Sequence, residues 1–223
     1  SLFFLLLFAG GSTVLAQDTK EESTVWEQDC AKESTVNPGV GGFITSLPLD
    51  PSYAEECKEQ GTVETLTYTC HSYALEAVTG ESNIMLEKSV NVYLPYGYDE
   101  NEKYNVFYLS HGGWSNETTI MGTDKDPHSF KNVLDHAIED GKIKPLIIVL
   151  PTYNNTSEED SGDYSLAIQL TNQFHNELVS DLIPAVESKF STYAENVTEE
   201  GLEASRDHRG FGGFSMGSVN TWN

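Results

Sequence analysis

Basic side chains are scarce in this chain: 12 Lys and Arg stand against 35 Asp and Glu, for a formal charge of -23 at pH 7. Nucleic-acid affinity depends on cationic side chains that neutralise phosphates, so a polyanionic partner is excluded and an uncharged or cationic one is favoured. Long apolar runs are missing as well. The single candidate, Leu2-Phe3-Phe4-Leu5-Leu6-Leu7-Phe8-Ala9, is too short to span a bilayer. Cysteine is limited to Cys30, Cys57 and Cys70, and neither Cys-x-x-Cys nor His-Glu-x-x-His spacing occurs. A thiol redox or zinc reading therefore has no support, and no cofactor or metal is expected.

The short apolar run is followed by Val14-Leu15-Ala16, small residues of the kind found before a cleavage point, and then Gln17. Residues 1–16 thus read as a secretory signal peptide that has lost its positively charged start, with no stable membrane insertion after cleavage and an extracellular destination. In that oxidising setting thiols tend to pair, so a disulfide is expected. Three cysteines leave one over. A Cys30 to Cys57 bridge is one possible pairing, which would leave Cys70 for a partner elsewhere, and sequence does not choose the connectivity. Asn116, Asn154, Asn155 and Asn196 each open an Asn-x-Ser/Thr sequon, as in a secreted glycoprotein.

At 223 residues the chain is long enough for one large domain. Residues 17–60 form a polar, acidic leader in which Pro38-Gly39-Val40-Gly41-Gly42 and Pro48-Leu49-Asp50-Pro51 interrupt any periodicity. Alternating β-branched and aromatic residues then predict strands over 62–68 and 88–94, and apolar runs predict buried strands over 104–109 and 145–150. A 3.6-residue period predicts helices over 129–139 and 174–190, the second kinked at Pro184. Residues 210–214 take the strand position before Ser215. Strands alternating with helices predict an α/β fold over 61–223, with a mostly parallel sheet covered by helices on both faces.

Gly213-Phe214-Ser215-Met216-Gly217 has the Gly-x-Ser-x-Gly form of a nucleophile elbow, a sharp strand-to-helix turn that exposes its serine. A serine hydroxyl needs a base to take its proton, and an attacked carbonyl needs donors at the developing oxyanion. The candidate donors are the backbone N–H of Met216 and that of Gly113 in the loop Ser110-His111-Gly112-Gly113. Trp114 either lines an acyl pocket or packs under this loop. His111 reads as a histidine that shapes the loop, with general base as the less favoured alternative, because in this arrangement the base follows the nucleophile in the chain. The eight residues after Ser215 contain no Asp, Glu or His, so the triad acid and base are expected beyond Asn223, in a domain incomplete at its C-terminus.

Four motifs in order carry a resemblance: Val92-Tyr93-Leu94-Pro95-Tyr96-Gly97-Tyr98, Tyr108-Leu109-Ser110-His111-Gly112-Gly113, Gly141-Lys142-Ile143-Lys144-Pro145-Leu146-Ile147-Ile148-Val149 and Arg209-Gly210-Phe211-Gly212-Gly213-Phe214-Ser215-Met216-Gly217. From about Gly61 onward the chain resembles secreted feruloyl esterases of the esterase D-like carbohydrate esterase group, similar to those of plant-cell-wall degraders such as anaerobic rumen fungi. The resemblance implies an α/β-hydrolase fold, Ser215 as nucleophile, and Met216 and Gly113 as oxyanion donors. It implies hydrolysis of ester links between ferulic acid and arabinose on xylan, through an acyl-enzyme. The chain departs from the family pattern at Trp114 and Ser218, where members often carry Gly. Acetylxylan or another polysaccharide ester remains an alternative substrate, and a non-catalytic carbohydrate-binding protein with the same fold remains an alternative class.

Overall fold

Side-chain alternation in the predicted strands sorts the core into two layers. In the computed structural model, which describes residues 50–223, strand β1 spans Thr62–His71, β2 Met85–Leu94 and β3 Asn105–Ser110. A small hairpin of β4 (Gly122–Thr123) and β5 (Asp126–Pro127) follows, then β6 (Leu146–Leu150) and β7 (Arg209–Gly213). Val90, Val92, Val106, Tyr108, Ile147 and Val149 face one layer, whereas Tyr93, Ile148 and Leu150 face the other, as a period of two requires. Helices α3 (Tyr164–Glu177) and α4 (Ile183–Lys189) contribute Leu170, Phe174 and Val186 to the first layer. Helix α2 (Ser129–Glu139) contributes Leu134 to the second. Residues Tyr53–Asn223 lie in one compact unit. The signal peptide and nearly all of the acidic leader lie outside the described residues.

The five-stranded sheet has the order β1-β2-β6-β3-β7. It is mixed, which corrects the mostly parallel sheet expected from the sequence. β1 pairs antiparallel with β2 along its whole length and β2 antiparallel with β6, so more paired residues are antiparallel than parallel; only β6-β3 and β3-β7 are parallel. The physical reason lies in the connection between β1 and β2. Its helix α1 (Tyr73–Thr79) has seven residues, about 10 Å of length against about 33 Å for a ten-residue strand, so it cannot carry the chain back to start a parallel neighbour. The chain turns round instead.

Helix α3 begins where Asp163 caps it, its carboxylate accepting from the Leu166 N–H at 3.0 Å. It runs on through a π-turn, Leu178–Leu182, directly into α4. Pro184 lacks an N–H and crowds the preceding turn, and the widened π-turn absorbs both effects without a break.

The expected disulfide is also corrected. Cys57 and Cys70 are both free thiols, and Cys30 lies outside the described residues. Cys70 is fully buried among the side chains of the first layer, and burial pushes its pKa up to about 12. It behaves as a small apolar residue with no route to an oxidant.

Three tyrosines tie successive strands to buried ion pairs. Tyr68 on β1 donates to Glu177, which pairs with Lys88 at 2.8 Å. Tyr93 on β2 donates to Asp135, which pairs with Lys131 at 2.7 Å. Tyr108 on β3 donates to Glu187, which takes two hydrogen bonds from Arg209 on β7. Removing one partner of such a pair strands a buried charge. Lys88→Met should therefore lower stability by about 3–5 kcal/mol in urea unfolding; a loss under about 1 kcal/mol, the range of exposed pairs, would contradict this account.

Candidate active site

After the short helix α5 (Glu199–Ala204), strand β7 ends at Gly213 and helix α6 (Met216–Trp222) begins three residues later. The turn is made by Ser215 at φ 53° and ψ -121°, a conformation L-residues avoid and that costs on the order of 1–3 kcal/mol. Close backbone contacts hold it there. A Cβ on Gly213 would stand 2.5 Å from the Gly217 carbonyl oxygen, and one on Gly217 would stand 2.4 Å from that of Ser110. No side chain fits at either position. The Ser215 side chain is exposed and makes no capping bond to α6, while Asn220 on α6 donates to the Ser110 hydroxyl at 3.1 Å. The helix after the serine is thus anchored to the end of β3.

The loop after β3 abuts the elbow: a Cβ on Gly112 would lie 3.2 Å from the Ser215 Cβ. Its carbonyl is held twice, by His111 Nδ1–H at 2.7 Å and by the Tyr153 hydroxyl at 2.7 Å. A trans peptide is planar, with C=O and N–H pointing in opposite directions. Fixing the Gly112 carbonyl therefore fixes the direction of the Gly113 N–H. Among the described residues, neither that N–H nor the Met216 N–H has an acceptor. Trp114 follows at φ 54°, its own N–H donating to the Ser161 carbonyl, and its side chain is 82% exposed. It does not pack beneath the loop. Its indole lies against Gly162, where an added Cβ would come within 3.2 Å.

His111 is 1% exposed and stacks on Tyr153. The Gly112 carbonyl can only accept, so Nδ1 carries the proton and Nε2 accepts from the Thr152 hydroxyl at 2.8 Å. Burial holds its pKa down at about 4, opposed by the Gly112 hydrogen bond and assisted by the nearby Lys88 charge. Lys88 donates to the Thr152 carbonyl at 2.7 Å, so the loop rests on the buried Lys88–Glu177 pair. Thr152 and Tyr153 were not singled out in the sequence. Their position just past the end of β6, beside the end of parallel β3, is the signal that flags them.

The other five histidines are engaged elsewhere or carry no contact to the elbow. His71 faces Asp181, His128 meets the Thr119 carbonyl, His136 the Glu55 carbonyl, and His208 Asn105, while His175 lies on α3. Among the described residues no ring nitrogen is hydrogen-bonded to Ser215. Of the sequon asparagines, Asn154 is buried with its amide donating to two carbonyls, so it is no acceptor for a glycan in the folded protein. Asn196 is exposed. Among the described residues no helix is long and apolar enough to cross a membrane.

The depressed pKa of His111 has a consequence for acid stability. Its folded value, about 4, lies below the ordinary 6.5, so the unfolded chain binds more protons between the two. The stabilisation from neutral His111 is complete above pH 6.5 and is lost as pH falls toward 4. This amounts to about 3 kcal/mol across that window. Unfolding midpoints measured from pH 7 to 4 should fall more steeply for the natural chain than for His111→Gln; parallel profiles would refute the assignment.

The family described as Putative esterase matches residues 82–220. Endo-1,4-β-xylanase Y of Acetivibrio thermocellus is 46% identical over 175 residues, which cover 78% of this chain and 14% of that protein. An endo-1,4-β-xylanase/feruloyl esterase of Xylanibacter ruminicola is 28% identical over 233 residues, covering 95% of this chain and 29% of that protein. Among solved structures, a serine-to-alanine mutant of the feruloyl esterase module from Clostridium thermocellum, complexed with sinapinate, superimposes with a TM-score of 0.64 at 43% identity. It is matched over 80% of this chain and 54% of its own. A CE1 ferulic acid esterase from Anaeromyces mucronatus in complex with ferulic acid gives a TM-score of 0.55 at 26% identity, over 77% of this chain and 56% of its own. The chain thus spans a small part of the curated relatives and about half of these solved chains.

Proposed function

Because the chain belongs to the Putative esterase family, we propose that its residues 61–223 form part of a secreted serine esterase that releases ferulic acid from arabinoxylan or a related plant-cell-wall ester. The observation that carries this reading is the strained, exposed Ser215 beside two backbone N–H groups, of Gly113 and Met216, that have no acceptor among the described residues. Similar proteins hold sinapinate and ferulic acid, which motivates the acyl class.

In the proposed reaction the Ser215 hydroxyl oxygen attacks the ester carbonyl carbon as a base takes its proton. The carbonyl oxygen becomes an oxyanion that accepts from the Gly113 and Met216 N–H groups, both present before substrate arrives, so little reorganisation is needed as charge develops. The sugar oxygen leaves with a proton, and water then cleaves the feruloyl ester on Ser215. This chain contributes the nucleophile and the two donors. His111 and Tyr153 act one step removed, by orienting the Gly112–Gly113 peptide. Trp114, exposed at the mouth of the site, offers a flat apolar wall to an aryl-acrylic acyl group.

On the full-length natural protein, an organophosphonate probe should add once, on Ser215, and Ser215→Ala should lower turnover of methyl ferulate by several orders of magnitude. A folded but unlabelled protein would remove the nucleophile assignment. Trp114→Gly should narrow the preference for methyl ferulate over an acetyl ester by about tenfold or more. It should not destabilise the fold, since Gly adopts φ 54° without strain. An unchanged preference, or higher kcat/KM on acetylated xylan in the natural protein, would move the substrate class to acetyl esters.

A further inference from the structure

A second cluster of reactive side chains lies away from Ser215, where the segment 53–61 crosses helix α2. Three residues on one face of α2 bind that segment: Asn132 donates to the Ala54 carbonyl at 2.8 Å, His136 Nε2–H to the Glu55 carbonyl at 3.1 Å, and Asp135 accepts from the Gly61 N–H at 2.9 Å. Tyr53 stacks flat on the His136 ring, 4.6 Å between centroids, which fixes the plane of the imidazole. This docking brings Cys57 against the last turn of α2. One donor atom from each of Cys57, His136 and Glu139 lies within 4.8 Å of the other two.

We propose that Cys57 Sγ, His136 Nδ1 and a Glu139 carboxylate oxygen form a site for a zinc-class divalent cation, with water in the fourth position, that clamps the 53–61 segment to α2. The donor set selects the ion. Thiolate, imidazole and carboxylate together suit Zn2+, whereas Ca2+ and Mg2+ take oxygen donors. The tautomer is prepared: with Nε2–H committed to a backbone carbonyl, Nδ1 carries the lone pair, the arrangement in which metal-bound imidazoles are usually held. His136 and Glu139 are one helical turn apart on the same face. Tetrahedral bonds of about 2.0–2.3 Å put ligand atoms about 3.4 Å apart. The present spacing must close by up to about 1.4 Å, toward which the exposed Glu139 side chain can move.

Without a metal Cys57 is a thiol at neutral pH, the ordinary state of a cysteine. Binding replaces S–H by S–Zn, so each ion bound releases one proton from Cys57 to solvent. No redox change is involved, and the cation supplies no chemistry to Ser215.

The probe is Co2+, added to the reduced full-length protein. One equivalent should produce a thiolate-to-cobalt charge-transfer band with the intense visible bands of four-coordinate Co2+, and Zn2+ should bleach them with release of one proton per chain in weak buffer. Cys57→Ser should abolish the charge-transfer band. Glu139→Gln, an exposed substitution that leaves the metal-free unfolding midpoint unchanged, should weaken Co2+ binding by about tenfold or more. Methyl ferulate turnover should be the same with and without metal. Absence of the band in the natural protein would overturn the site, as would a band that survives in Cys57→Ser or undiminished affinity in Glu139→Gln. Recovery of Cys57 in a disulfide with Cys30 would do so too.

Discussion

The architecture of the site depends on one backbone approach: Gly217, in the first turn of α6, sits so close to the carbonyls of Ser110 and His111 that a single methyl carbon would collide with both. That contact docks α6 onto the end of β3 and leaves the intervening chain only a sharp turn in which to travel from β7 to the helix. Ser215 takes up the strain at φ 53°. The same contact brings Gly112 against the Ser215 Cβ, so the loop carrying Gly113 and the turn carrying Met216 face one small volume. The direction of the Gly113 N–H follows from packing that admits no side chain and from the two donors on the Gly112 carbonyl.

The loop is steadied from below by charge. In a chain with so few cations, Lys88, Lys131 and Arg209 are each committed to a buried carboxylate that also receives a tyrosine hydroxyl from the sheet. Such pairs contribute little net stability over an apolar equivalent, but they are unforgiving of displacement, because each unpaired member is costly. They set the register of helix against sheet. The Lys88–Glu177 pair has a further effect through the Thr152 carbonyl, and Thr152 in turn meets His111. A structural histidine, kept neutral by burial, thereby relays the position of the core to the Gly112 carbonyl.

The formal charge of -23 gives no attraction to the neutral or weakly acidic polysaccharide proposed as substrate. On that proposal recognition falls to shape and aromatic surface, the role proposed for Trp114. Trp114 holds a left-handed backbone conformation costly for a bulky residue and is exposed rather than in the core. The strain at Trp114 and at Ser215 is concentrated in two adjoining turns, and both are braced by rigid neighbours, β3 and α6.

Local pattern was legible in several elements with one face on the core, but not in α3 ahead of Phe174, where Ala167 and Leu170 face the core outside the predicted helix. The strands around Val92, Val106 and Ile148, helix α2 and the elbow at Ser215 all follow from periodicity or from glycine spacing, because those signals are written within a few residues. Strand direction was not, since the seven-residue α1 and the antiparallel β1-β2 pairing depend on how far a connection can reach. The thiols illustrate the same division. Composition and compartment pointed to pairing, but burial of Cys70 and the docking of Cys57 beside His136 and Glu139 are long-range outcomes that no spacing in the chain reveals. Likewise Tyr153 reaches the Gly112 carbonyl across 41 positions. The sequence by itself determined which residues alternate, turn and expose a serine, because steric and solvation preferences act locally. Only the tertiary structure decided which carbonyl is held, which N–H is left free and which cysteine stands beside a histidine, because those depend on the packing of segments far apart in the chain.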